Sequence, residues 1–268
     1  MITRLHIQTA VRDEITFLKN VYCTTPLKVA NITEDKKSPL LELMIMSSSP
    51  GILDGDEYDI KVELSKGCMV RLQTQSYQRL FNMKSGATQI TTFHLAENSF
   101  LHYIPYPSVP HAASIFAAVN RFYLERNCTL LFGEILTCGR KLNGEVFTLE
   151  KYHNLTEIFI ENKLVIKENL LIEPKNIDVN KIGQLEGYTH QASLIFLHET
   201  IDSKELNSAI AILLETEKDI CFGISATPIN GILVRILGQK GEQLFEILKR
   251  IALYLQSNYV NTKLEYAN

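Results

Sequence analysis

The chain has 268 residues, of which 46% are hydrophobic and 21% are charged, a composition typical of a folded protein with a sizeable core. Its formal net charge is −3 and its pI is near 6.2, which argues against a nucleic-acid-binding protein, because such proteins are usually basic. The sequence has no apolar run near the roughly 18 residues that a membrane helix needs, and its first residues lack the apolar stretch of a signal peptide. We therefore expect a cytoplasmic protein without membrane contact.

The first 200 residues predict one short strand after another. Residues 59–64 alternate polar and apolar side chains, which is the period of a half-buried strand. Further strands are predicted at residues 69–74, 88–95, 99–104, 115–124, 129–138, 155–161, 164–173 and 192–198. The pair Asn143-Gly144 is the strongest signal for a hairpin turn. Because no linker composition stands out, we expect one domain over residues 1–268.

Two helices are predicted near the C-terminus. The first covers residues 203–215, with Asp202 as its N-cap and Glu205 placed to complete a capping box. The second covers residues 241–256. Each helix carries one apolar stripe, which is more often core packing than a surface for a partner.

The remaining C-terminal segments complete the predicted fold class. Residues 220–226 and 231–237 predict two strands between the helices, and the polar tail at residues 259–268 is predicted to fray. The fold class is therefore mainly β, with many short strands and two late α-helices.

Motifs of the common enzyme classes are missing from the sequence. There is no GxSxG nucleophile elbow, no phosphate-binding GxxxxGK[ST] loop and no HExxH zinc motif. The five cysteines are scattered and no pair has zinc-site spacing. Histidines on strands are more often structural than ligands, but His111 follows Pro110 in a predicted loop where its imidazole could be exposed.

Three carboxylates occupy unusual positions in the predicted strands. Asp56, Glu134 and Glu168 each share the parity of neighbouring apolar residues, so each should point toward the interior. A buried carboxylate needs a cation, hydrogen-bond donors or water. Two interpretations stay open. The carboxylates are hydrogen-bonded structurally to Arg140, Arg121 or backbone N–H groups, or they line a polar, water-filled path that holds a divalent cation weakly.

Five segments resemble, in the same order, the signature segments of the urease accessory protein D/H family. The matching features, in chain order, are Gly55-Asp56 in residues 47–64; Thr74, Gln75 and Arg79 in residues 66–81; the order leucine, hydrophobic residue, proline and a second proline in residues 100–114; Glu134, Gly139-Arg140, Gly144-Glu145 and Phe147 in residues 130–147; and Arg235 in residues 231–237. Together the segments cover most of residues 25–255. Any one of them is weak, but five in register are fairly specific.

The chain departs from the family's pattern at three places. Residues 49–54 replace the usual Gly-rich turn, Arg79 stands where Lys is common, and His111 stands where an aromatic residue is frequent. In these departures the chain is most similar to the variants called H.

The resemblance implies a fold of many strands coiled into a helicoid, with two helices. It implies a protein that is not an enzyme but is required for the maturation of urease. It further implies direct docking on urease apoprotein, binding of an accessory protein of the F type, and, through that partner, contact with a nickel-carrying GTPase of the G type.

The resemblance also implies roles for individual residues. Asp56, Glu134 and Glu168 match acidic residues associated with a polar tunnel for transient Ni²⁺, with no tightly bound cofactor. A structural or interaction role is expected for Arg79, Arg140 and Glu145.

Two other functions stay open from the residues alone. A β-rich hydrolase would use Glu134 or Asp56 as its acid or base, although no second catalytic group is placed by spacing. A purely structural adaptor would only hydrogen-bond these carboxylates. Activity on generic esters or glycosides tests the first alternative, and nickel binding tests the second.

Overall fold

Strands make up about half of the structure, as the alternating sequence predicts. The computed structural model describes residues 2–260. The strands are β1 (Ile2–Arg12), β2 (Ile15–Cys23), β3 (Leu27–Asn31), β4 (Leu40–Ser47), β5 (Glu57–Leu64), β6 (Met69–Thr74), β7 (Gln78–Leu80), β8 (Ala87–Leu95), β9 (Phe100–Tyr103), β10 (Ser108–Pro110), β11 (Ile115–Leu124), β12 (Thr129–Thr137), β13 (Lys151–Ile160), β14 (Lys163–Ile172), β15 (His190–Leu197), β16 (Ile220–Ala226) and β17 (Gly231–Gly238). The helices are α1 (Ser203–Glu215) and α2 (Gly241–Leu255).

The strands form two sheets. Sheet I has the order β14-β13-β11-β8-β5-β1-β2. The main path of sheet II has the order β16-β17-β15-β12-β9-β6-β4-β3, and the short strands β10 and β7 branch from β12. Strand β14 therefore ends sheet I, and β16 ends sheet II.

The chain coils between the two sheets from β4 to β13. β4, β6, β9 and β12 lie in sheet II, while β5, β8, β11 and β13 lie in sheet I. Successive strands within each sheet pair in parallel, so each turn of the chain stacks on the previous turn. This topology is a helicoid of strands, and the prediction of a mainly β fold with two late helices is confirmed.

Strand β12 separates two apolar cores. Leu130, Phe132 and Leu136 belong to the core between the sheets, while Leu131 and Ile135 belong to the core between sheet II and the helices. Because side chains alternate along a strand, Glu134 faces sheet I together with the first three. The same alternation places one face of β15 and β17 toward sheet I and the other toward the helices.

Both helices pack their apolar stripes on sheet II, as expected of core helices. Helix α1 has its predicted bounds, and the Asp202 carboxylate caps it by accepting a hydrogen bond from the backbone N–H of Lys204 at 2.8 Å. Helix α2 ends at Leu255, one residue before the predicted end. No helix within residues 2–260 combines the length and apolarity needed to cross a membrane.

The start of the predicted frayed tail is ordered by packing. Tyr259 and Val260 belong to a π-helical turn, Gln256–Val260, and Val260 is buried in the core beside the helices. The prediction of fraying is wrong for these two residues. The rest of that tail, residues 261–268, lies outside the described residues.

The Asn143-Gly144 pair does not form the predicted hairpin. Residues Lys141–Asn143 form a short 3₁₀ turn, and Gly144 ends it with φ at +80°. The flanking strands β12 and β13 belong to different sheets, so they do not pair. A turn dipeptide indicates only the local backbone conformation and not whether the flanking strands pair. Here the turn leads the chain from one sheet to the other.

Candidate functional site

A cavity of about 160 Å³ lies between the two sheets. Its wall includes the exposed residues Ser47, Gln75 and Ser76, so it opens to solvent at the loops that follow β4 and β6. The inner part of the wall carries the buried Asn120 and the half-buried Glu134. This volume and polar lining are sufficient to hold several water molecules.

Two amides hold the Glu134 carboxylate. Its Oε1 accepts hydrogen bonds from Nδ2 of Asn154 at 2.6 Å and from Nδ2 of Asn120 at 2.9 Å. Asn120 Nδ2 also lies 3.1 Å from Asn154 Oδ1 and 3.3 Å from Thr156 Oγ1. The amides come from the inner faces of β11 and β13, so sheet I supplies neutral donors to a carboxylate of sheet II.

The surroundings of Glu134 favour its neutral form. Burial is the largest influence, and with the negative charge of Glu168 it raises the pKa of Glu134 from 4.5 to about 7. Hydrogen bonds from Asn154 and Thr156 act in the opposite direction. Glu134 is therefore partly protonated near neutral pH.

Glu168 is held by an arginine of the other sheet. The Arg235 guanidinium Nη2 on β17 forms an ion pair with Glu168 Oε2 on β14. The Glu168 side chain is 26% exposed and that of Arg235 is 55% exposed, which places the pair at the margin between the sheets. The pair joins the terminal strand of sheet I to the penultimate strand of sheet II.

Strand register aligns these side chains in two polar rows. The first polar row crosses sheet I and consists of Asn120, Thr156 and Glu168, at paired positions of β11, β13 and β14. The second polar row crosses sheet II and consists of Glu134, Ser193 and Arg235, at paired positions of β12, β15 and β17. Each row runs from the cavity to the edge of the sandwich, and hydrogen bonds or ion pairs link the rows at both ends.

Asp56 lies apart from these rows, at the turn before β5. Its Oδ2 accepts a hydrogen bond from the backbone N–H of Leu53 at 2.8 Å, as expected of a turn aspartate. Its neighbour Tyr58 lines the cavity. Burial, followed by the charge of Asp56 and a hydrogen bond to it, raises the pKa of Tyr58 to about 12. Asp56 is thus connected to the cavity wall by its hydrogen bond with Tyr58.

The arginines that the sequence suggested as carboxylate partners bind other residues. Arg140 forms a two-pronged ion pair with Glu145, whose Oε2 also accepts a hydrogen bond from the Ala112 N–H at 3.2 Å. Arg121 pairs with Glu157 on β13. Glu157 directly follows the inward-facing Thr156, so its side chain lies on the outward face of the strand. The suggested pairing of these arginines with the interior carboxylates is therefore wrong, and the amides and Arg235 take that place.

The predicted interaction residues meet around His111. The ring of His111 is only 6% exposed and packs edge-on against Phe81 at 4.8 Å between centroids, so the predicted exposure of this imidazole is wrong. Burial lowers the pKa of His111, with the charges of Arg140 and Arg79 acting in the same direction and Glu145 opposing them. Arg79, Arg140 and Glu145 therefore share one neighbourhood.

The donor set at the site suits brief contact with a cation. Within residues 2–260 there is no group of three or more His, Cys, Asp and Glu side chains that could hold a metal ion. Glu134 and Glu168 supply at most two carboxylates, and Arg235 already occupies one of them. Oxygen ligands without a fixed, complete geometry hold a divalent ion weakly.

Sequence reasoning missed three partners of the interior carboxylates. Asn120, Asn154 and Arg235 all lie on inward-facing strand positions and contact Glu134 or Glu168. The parity argument that identified the carboxylates applies equally to these residues, so the signal was present. Parity does not reveal which inward polar residues meet across the two sheets.

Comparison with known proteins assigns the family. The family described as UreD urease accessory protein matches residues 2–266. A protein named "Urease accessory protein UreD" from Flavobacterium johnsoniae is 45% identical over 98% of this chain and 96% of its own length. Proteins of the same name from Acetivibrio thermocellus and Haemophilus influenzae are 39% and 32% identical, over 93% and 90% of this chain and 95% and 94% of their own lengths. The chain therefore belongs to the UreD family of urease accessory proteins.

Proposed function

We propose that this protein acts in the maturation of urease as a non-catalytic, cytoplasmic scaffold. In this proposal it docks on urease apoprotein, binds the F-type accessory protein and, through it, the G-type GTPase. Family membership over residues 2–266 supports the role in urease maturation. The absence of a phosphate-binding loop from the sequence agrees with a nucleotide site on a partner rather than on this chain.

The cavity between the sheets is, in this proposal, a path for transient nickel. The observation that carries it is the Glu134 carboxylate, which lies in the cavity wall and is held by two neutral amides. A carboxylate with such partners can exchange a proton for a cation without first breaking an ion pair. The lack of a complete ligand set in residues 2–260 supports passage rather than storage.

A carboxylate-dependent hydrolase is the second candidate function. The raised pKa of Glu134, about 7, also suits a general acid or base at neutral pH. A hydrolase of this kind needs a second catalytic group, and the other inward-facing strand carboxylate, Glu168, is engaged by Arg235. Hydrolysis of generic esters or glycosides that is abolished by Glu134→Gln would favour this candidate over the scaffold.

The scaffold proposal is tested in cells that produce urease and the other accessory proteins but lack this chain. We expect inactive urease without the chain and active, nickel-containing urease when it is restored. The tagged chain should co-purify the F-type protein and the G-type GTPase, and removal of the F-type protein should remove the GTPase. Recovery of the chain alone, with both partners present and folded, would contradict the proposal.

A further inference from the structure

The second polar row ends at Arg235, which the proposed nickel path does not by itself require. Arg235 bonds Glu168 at the edge of the sandwich, while Glu134 at the other end of the same row is bonded by neutral amides. We propose that Arg235 is a gate, a built-in cation that occupies Glu168 and competes with the metal cargo for it. This inference rests on the proposed nickel path.

Register places the gate in line with the cavity carboxylate. Glu134, Ser193 and Arg235 occupy paired positions of β12, β15 and β17, so the small Ser193 is the only residue of that row between the two. Glu168 faces Arg235 from sheet I and is close enough for its charge to act on Glu134. An ion that leaves Glu134 toward this edge meets Glu168 next, and there it meets the guanidinium.

The neighbourhood of Arg235 gives the guanidinium room to leave. On the far side, Arg235 pairs in register with Gly223 of β16, which is exposed and has no side chain. A Cβ atom added at Gly223 would meet no atom within 4 Å, so open space adjoins this position. Arg235 is itself 55% exposed. Its long side chain can therefore swing into solvent by rotation about its own bonds, while the strands stay in place.

Arginine is suited to this competition because it stays charged at every physiological pH. Without Arg235, the Glu168 carboxylate would be open to any cation, including monovalent ions. With Arg235 in place, a monovalent ion gains little by exchange, whereas a divalent ion brings twice the charge to the carboxylate. The ion pair thus keeps the edge closed without cargo and keeps cargo binding weak enough for release.

Nickel binding by the purified full-length chain, measured by isothermal titration calorimetry with Ni²⁺ alone, tests the gate. Arg235→Gln should bind Ni²⁺ about tenfold more tightly, because the competing charge is gone. Arg235→Lys keeps the charge and should stay within about threefold of the native chain. The double variant with Glu168→Gln should lose the gain.

A matched control uses the ion pair of Arg250 with Glu217. Its side chains are 53% and 17% exposed, close to the 55% and 26% of the gate, but the pair lies at α2, on the other side of sheet II from the cavity. Arg250→Gln should leave Ni²⁺ affinity unchanged. An unchanged affinity in Arg235→Gln, or an equal gain in Arg250→Gln, would overturn the gate.

The gate and the proposed scaffold function are tested by different measurements. The gate is measured as nickel affinity of the chain by itself, whereas the scaffold is measured as partner recovery and urease activation. Unchanged affinity in Arg235→Gln overturns the gate even where the chain restores nickel to urease. Failure to restore urease contradicts the scaffold even where Arg235→Gln binds nickel more tightly.

Discussion

Among single residues, Glu134 and Glu168 face the same interior but have opposite partners. Glu134 receives hydrogen bonds from two neutral amides, and burial with the charge of Glu168 raises its pKa to about 7. Glu168 is neutralised by Arg235 and is partly exposed. One carboxylate is thus poised between its protonated and charged forms, and the other is paired with a guanidinium.

The raised pKa of Glu134 predicts a pH-dependent cost to stability. Between pH 4.5, the ordinary pKa of this group, and its folded value of about 7, the folded chain binds a proton that the unfolded chain releases. The free energy of unfolding therefore falls as pH rises through this window. Glu134→Gln removes the titration, so its stability relative to the native chain should increase by about 2–3 kcal/mol between pH 4.5 and about pH 8.

Urea unfolding of both chains at the two pH values measures this difference. Because both chains carry every other titrating group, the comparison isolates Glu134. A stability difference that stays constant across the window would show that Glu134 has an ordinary pKa and is not desolvated by the cavity wall.

For these residues, the sequence predicts which way the side chains point but not which residues they contact. Strict alternation predicted that Glu134 and Glu168 face inward, and both do. It could not predict that Glu168 meets Arg235, because these residues are 67 positions apart and lie in different sheets. Alternation also fails to predict the position of Asp56, because this residue lies in the turn before β5 and not in the strand itself.

Among the elements, the connection from β12 to β13 shows how a local turn fixes a long-range arrangement. Gly139 has φ at +118°, and a Cβ atom there would lie 2.8 Å from Pro110 O and 3.1 Å from Glu145 O. The close approach brings the Arg140–Glu145 pair against the loop that carries His111. Only glycine combines this backbone conformation with this contact.

Substitution of two glycines in this connection tests that reading. Gly139→Ala should lower the free energy of unfolding by about 3 kcal/mol, because it adds both backbone strain and a clash. Gly144→Ala is the matched control: it has φ at +80° but open space around the new Cβ, so a loss of about 1 kcal/mol is expected. Denaturant midpoints measure both, and equal losses would contradict the close approach.

The periodicity of the sequence located most elements but not their partners. The predicted strand at residues 115–124 and helix at residues 203–215 have the observed bounds, because alternation and a capped apolar stripe are local signals. The pairing of strands across the coil is non-local. The Asn143-Gly144 pair was accordingly assigned to a hairpin, although its flanking strands lie in different sheets.

For the whole molecule, the coil of strands creates both the cavity and its walls. Each turn of the chain adds one strand to each sheet, so inward polar residues far apart in sequence line up across the two layers. The helices cover the other face of sheet II, while the space between the sheets holds the larger apolar core and the two polar rows. The proposed nickel path follows from this arrangement rather than from any single motif.

Nickel content of urease is the most direct test of that path. Urease is assembled in cells that contain the native chain, Glu134→Gln or the control Glu157→Gln, and nickel per urease is measured by mass spectrometry. Glu157 lies on β13 of sheet I, next to the inward-facing Thr156, and pairs with Arg121 and Lys167 on the outward side. We predict normal nickel with Glu157→Gln and strongly reduced nickel with Glu134→Gln, with both variants folded and bound to their partners. Normal nickel content with Glu134→Gln, at native abundance, would contradict the path and leave the carboxylate a purely structural role.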